Sequence, residues 1–156
     1  MIGAIRAAVA LVAGAGALII TPPAAAQSMA DALKQLRAED ARLQSIGWRL
    51  AHGNAPFCAD AAPAAGLLLY DVRNFSASQQ VRAALGIAGE IAVGAVATGS
   101  PAERAGLRGN EEVIALGQDA MADLPPVPEG NTARVDSLHD RIDAALLADG
   151  ALTVTT

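Results

Sequence analysis

Residues 91–121 read IAVGAVATGSPAERAGLRGNEEVIALGQDAM, two short apolar runs separated by a helix about one turn long. Gly99 supplies a turn with free choice of φ, Ser100 is a good N-cap, and Pro101 stands at the first helical position, where its missing N–H costs nothing. Glu103 follows Ser100 by three residues, so the pair predicts a reciprocal capping box. Gly106 suits the left-handed position after the helix, and Leu107 its hydrophobic clasp. One turn nucleates poorly. A segment capped this fully predicts a fixed structural elbow.

Outward from the elbow, short elements alternate. Residues 66–72 (GLLLYDV) form a nearly continuous apolar run and predict a buried strand. Ser76 to Gln79 is a second capping signature, opening a helix of about ten residues that Gly86 stops and Ile87 clasps. Residues 90–97 predict a strand before the elbow and residues 112–116 one after it, with tight turns at Arg108-Gly109-Asn110 and Gly117-Gln118. Pro125, Pro126 and Pro128 make residues 123–132 a rigid, exposed loop. Asp136 is then expected to cap a last helix carrying a Leu138, Ile142, Ala145 and Leu146 stripe, which Asp149-Gly150 ends. Residues 151–156 alternate and predict a strand without a later pairing partner.

Before residue 55 the period is helical. Met29, Leu33, Leu36, Leu43, Ile46 and Leu50 recur at spacings of three, four and seven, with Ser28 as cap and Asp31 in the first turn. Trp48 lies off that stripe, placed to anchor the helix to a neighbour. Such a helix either packs on its own domain or pairs with a second copy as a homodimer through residues 28–51. The seam spans barely three heptads and is interrupted by Asp40 and Gly47, which favours packing within the chain. His52-Gly53-Asn54 ends the helix, and an Ala- and Pro-rich connector follows up to about residue 62.

The first 26 residues have the three parts of a secretory signal peptide: Arg6, an apolar run from Ala7 to Ile20, and Ala24-Ala25-Ala26 before Gln27. The run is short for a membrane span, so none is expected after cleavage. The organisation read from the chain is a leader at 1–26, a helix and connector at 27–62, and an α+β domain at 63–156. Beyond the leader stand 16 acidic residues against ten basic ones, a net charge of about −6. A dispersed acidic balance argues against nucleic acid and anionic membrane surfaces as partners. Cys58 is the only cysteine, which excludes an intramolecular disulfide; beside Phe57 it reads as a small buried apolar residue, the alternative being a reactive or intermolecularly paired thiol.

Catalytic patterns are missing. His52 and His139 lie in separate elements with no zinc spacing, no H-E-x-x-H or G-x-S-x-G occurs, and Ser100 is explained by its capping role. The expectation is a chain with no catalytic residues, no bound metal and no cofactor.

The element order, with Gly99-Ser100-Pro101-Ala102, Ala105-Gly106-Leu107 and then Glu112 to Leu116, resembles a bacterial PDZ domain, as found in periplasmic high-temperature-requirement-type proteases. The resemblance covers residues 63–156. It implies a partly open β-barrel or sandwich with two main helices and the elbow. The family's Gly-Asp before the strand is here Asn110-Glu111, its Asn-Gly hairpin is Gly117-Gln118, and its final hairpin strand is not seen before Thr156. The family's ligand loop falls on Ala64, Ala65, Gly66 and Leu67. It would offer backbone N–H groups to a peptide carboxylate, and the peptide would add as a strand beside Leu67, Leu68 and Leu69. The last helix would form the other wall, with either Leu138 and Ile142 or His139 and Asp143 facing the groove. The implied partners are protein C-termini or extended peptide segments, in the periplasm or outside the cell. The N-terminal part also looks like that of secreted proteins in which a PDZ domain precedes a zinc peptidase. That makes a regulatory fragment of a larger peptidase the alternative expectation.

Overall fold

The structure, a computed structural model, describes residues 28–156. The expected signal peptide at residues 1–26 lies outside the described residues. In order come helix α1 (Met29–Asn54), strand β1 (Leu67–Asp71), α2 (Ser78–Leu85), β2 (Ile91–Val96), α3 (Pro101–Arg104), β3 (Ala115–Leu116), β4 (Asp119–Ala120), α4 (Ala133–Asp149) and β5 (Val154–Thr155). The architecture is mixed helix and sheet, and the strands form two small antiparallel sheets rather than a closed barrel among the described residues.

The elbow forms as its residues dictate. Ser100 Oγ accepts from the Glu103 N–H at 3.2 Å, and the Glu103 carboxylate accepts from Gly99 N–H at 2.7 Å rather than from Ser100. The Ser100 N–H is already used, donating to Ala97 O at 3.1 Å. Leu107 N–H closes back on Ala102 O at 3.1 Å.

β1 pairs with β2 from Leu67↔Val96 to Asp71↔Ile91, with a bulge between Leu68 and Leu69. On the other edge of β2 the expected strand at residues 112–116 is broken. Val93 and Ile91 exchange bonds with Asn110, Glu111 and Val113, and only Ala115–Leu116 continues, into the second sheet. Asn110 takes a left-handed φ of 77°, which bends the chain there; Asn tolerates that conformation best among non-glycine residues. β3 then pairs with β4 around Gly117-Gln118 and with β5, so the last strand has its partner earlier in the chain.

Leu67, Leu69, Ile91, Val93, Val113, Leu116, Val135, Leu138 and Ile142 make the main core. A second core joins Leu33 of α1 to Val72, Val81, Ile87 and Ala92. Three expectations change here. α1 turns only Leu33 of its apolar stripe inward, while Met29, Leu36, Leu43, Ile46 and Leu50 stay exposed. Its inner face carries Leu33, Arg37, Ala41, Gln44, Ser45 and Trp48 instead. The surface beneath is built to receive such side chains: Arg37 lies over the Tyr70 ring at 5.7 Å, and Ser45 Oγ accepts from Thr98 N–H at 3.1 Å. α2 begins at Ser78 with no cap from its own neighbours. Glu129, in the proline loop, accepts from both the N–H and the hydroxyl of Ser78. α4 begins three residues before Asp136, its first N–H answered by Asn131 at 2.9 Å, so Asp136 sits in the first turn rather than at the cap.

Candidate functional site

β1 has one strand neighbour, β2, so its other edge is free of strand pairing among the described residues. α4 runs along that edge, and the two elements are the walls of a groove. Each end of the groove is fixed by a different device.

At the near end stands Gly66, at φ +70°, a region costly for residues with a Cβ. A Cβ there would lie 2.3 Å from Ser100 Cβ. The elbow therefore sets this loop directly. Ala102 N–H donates to Ala65 O at 3.0 Å, and Ala97 N–H to Gly66 O at 2.8 Å. The amides of Ala65 and Gly66 themselves have no hydrogen-bond partner among the described residues. Two adjacent free N–H groups are the elements of an anion-holding nest.

At the far end, Asp71, the last residue of β1, is fully buried and accepts two bonds from Arg134 on the first turn of α4, at 2.6 and 2.7 Å. Arg134 also reaches Glu90 at 2.7 Å and Pro125 O at 3.2 Å. Glu90 in turn holds Arg73 at 3.0 Å and Arg82 at 2.9 Å. Burial pushes the Glu90 carboxyl up, but the hydrogen bond and charge of Arg134, then those of Arg73, outweigh it and hold the group below its ordinary value. The bond from Asp71 raises the Arg134 guanidinium, against burial, with Glu90 adding to it, so its charge is secure. A bidentate, fully satisfied buried pair holds two elements at one spacing.

Between these ends, the Leu69 N–H donates to His139 Nε2 at 3.1 Å. His139 Nδ1 lies 3.0 Å from Val135 O. With Nε2 accepting, the tautomer that fits has Nδ1–H donating to that carbonyl. A helix side chain thus occupies a main-chain donor on the edge of β1 that no strand pairs. A cavity of about 260 Å³ opens beside it, bounded by Gly66, His139 and Asp143 and, from α1, by Gln44 and Trp48. No Arg or Lys lines it. A second cavity of about 260 Å³, lined by Leu67, Ala102, Ile142 and Leu146, lies on the other side of the Ala65 loop.

The residues expected from the sequence are gathered in one place, with different parts to play. Ala65, Gly66 and Leu67 form the near end, and Leu68 is half-buried along the strand. Leu69 buries its side chain in the core and turns its amide to the groove. Of the two alternatives on α4, His139 and Asp143 line the groove, while Leu138 is 1 % exposed and belongs to the core; Ile142 is buried but reaches both cavities. Sequence reasoning missed the Asp71–Arg134 pair and the Trp48 and Gln44 wall. An Asp ending an apolar run and an Arg opening a helix were the available signals. Cys58 is exposed, not a packed apolar residue.

No family model, curated protein or solved structure matches the chain. Among the described residues no helix is long and apolar enough to cross a membrane.

Proposed function

We propose that the chain is a non-catalytic, PDZ-like module that binds an extended peptide segment or protein C-terminus by strand addition to β1. The observation carrying this reading is the outer edge of β1, where Leu69 N–H is met by an imidazole nitrogen instead of a strand carbonyl. Main-chain donors on such an edge accept an extended peptide, and side-chain pockets alongside supply selectivity. The free Ala65 and Gly66 amides suit the oxygen atoms of a ligand's end, while Asp143 nearby opposes a second negative charge. In this mechanism the incoming peptide carbonyl replaces His139 Nε2 on Leu69 N–H, and the ring swings out to make room. The leader pattern of residues 1–26 supports a periplasmic or secreted setting.

The test is an NMR titration of isotope-labelled protein with a hydrophobic C-terminal peptide and its amidated twin. Amide shifts at residues 65–71 and ring shifts at His139 are the expected result. The free acid should bind tighter if the Ala65 and Gly66 amides take a carboxylate. Saturating peptide with no shift at residues 65–71 sinks the proposal.

A further inference from the structure

α1 packs on β2 through side chains too small to close the space between them. Ala38 and Ala41 of the helix and Gly94 and Ala95 of the strand line a cavity of about 700 Å³ there. Leu85, Val96 and Leu107 add an apolar wall. A space of that size accommodates a small organic molecule. None of its lining residues belongs to the cavity beside β1.

The charged part of the wall is cationic, in a chain that is acidic as a whole. Lys34 and Arg37, three apart on one face of α1, are joined by Arg108 from the turn after the elbow, against a single carboxylate, Glu103. Among the described residues none of the three cations forms an ion pair. Glu103 is already committed to Gly99 N–H, and the nearby Glu111 to Arg108 N–H at 2.9 Å. Arg37 is the least satisfied of them. Its Nη1 donates to Asn110 Oδ1 above the Tyr70 ring, while Nε and Nη2 are buried with no hydrogen-bond partner. The Tyr70 hydroxyl is buried and unpartnered as well. Burial lowers the Arg37 pKa, with no counter-charge to oppose it. Nε–H and one Nη–H make a flat edge that pairs with two oxygens of a carboxylate or phosphate at once. Such an edge is costly to bury unanswered.

We propose that this cavity binds a small organic anion, with a dianionic head held by Lys34, Arg37 and Arg108 and an apolar body along Leu85, Val96 and Leu107. Three cations against one carboxylate suit a doubly charged head, which a phosphate monoester and a dicarboxylate both supply. On binding, Arg37 turns about its terminal side-chain bonds and brings its unanswered edge to the head. The site shares no residue with the peptide groove, so each stands or falls by itself.

NMR titration of the labelled protein with hexyl phosphate and with hexylmalonate tests it, and the tighter of the two names the head. Hexanol supplies the body alone and inorganic phosphate the head alone. At least one amphipathic anion should bind with a Kd of about 100 µM or below, and each half-molecule at least about tenfold more weakly. Amide shifts are expected at residues 94–96 and 106–110, with a shift of the Arg37 Nε–H signal, while residues 65–71 stay unmoved. Lys34→Gln and Arg108→Gln, both at exposed positions, should each weaken binding about threefold to tenfold with unchanged circular dichroism. Arg37→Lys keeps the charge without the flat edge and should lose about tenfold. Four results would each overturn the proposal. They are no shift at residues 94–96 and 106–110 with either anion at about 5 mM, hexanol binding as tightly as the anions, inorganic phosphate doing so, and unchanged affinity in both glutamine variants.

Discussion

Gly66 is set by two independent demands, a positive φ and a neighbour too near for a Cβ. Gly66→Ala should therefore cost about 2–4 kcal/mol in chemical denaturation, from left-handed strain plus overpacking against Ser100. Gly86→Ala offers the comparison. It shares φ +69° but has open space at the Cβ, so it should cost only about 1 kcal/mol. Equal losses would show that the Ser100 contact is without consequence. His139 makes a different kind of demand. His139→Ala leaves Leu69 N–H unclaimed, so a strand ligand no longer competes with the ring. Affinity should rise about threefold to tenfold, the worth of one hydrogen bond. In the free protein the Leu69 amide should exchange faster with solvent. Unchanged affinity and exchange would mean the ring does not guard the edge. Glu90 carries the pH signature. It is held below its ordinary value in the folded chain, so its ionised form stabilises the fold fully above the ordinary glutamate range, near 4.3. That contribution should begin to fall as pH drops into this range and be gone below the lowered folded value. Glu90→Gln should show a flatter acid limb in stability measured against pH.

The strand and helix that wall the groove are joined at its far end by the buried Asp71–Arg134 pair. Breaking it from one side strands a charge, so Arg134→Met should lose about 3–5 kcal/mol and Asp71→Asn nearly as much. The double change to apolar residues of similar size should recover most of the loss while widening the spread of groove conformations, seen as broadened amide signals in β1. A double variant as unstable as the sum of the singles would refute this coupling. At this scale the sequence was informative wherever the cause was local. Ser100, Pro101, Gly106 and Leu107 announce the elbow because caps are satisfied within four residues. The loop at Gly66 and the stop at Gly86 were legible for the same reason. Asp71 and Arg134 were not, because nothing local ties residues 63 positions apart. Periodicity also identified α1 without identifying its covered face. The stripe marks where the apolar residues are, whereas the Tyr70 ring and the Thr98 amide select Arg37 and Ser45. The cap on Ser78 comes from Glu129 across the fold, so no nearby pattern could show it.

For the molecule as a whole, the question is whether α1 belongs to the same cooperative unit as the groove. Leu33 is 5 % exposed and shares a core with Val72, Val81 and Ile87, from the segment between β1 and β2, and with Ala92 of β2. Arg37 adds a contact with Asn110 and the Tyr70 ring, and Ser45 ties the helix to the chain entering the elbow. These contacts run the length of the helix, so α1 cannot leave without uncovering the second core. Trp48, the only tryptophan, sits on α1 with its ring stacked on His52 at 5.7 Å and half-buried against the groove. Its fluorescence therefore reports α1 docking, while far-ultraviolet circular dichroism reports all four helices. The two probes should give one coincident unfolding transition in urea. Leu33→Ala should shift both together, by about 2–4 kcal/mol, through lost burial and the cavity left behind. A tryptophan transition that precedes the dichroism transition would instead show α1 undocking by itself, with the remaining domain folded. In that event the Trp48 wall would be a movable part of the groove.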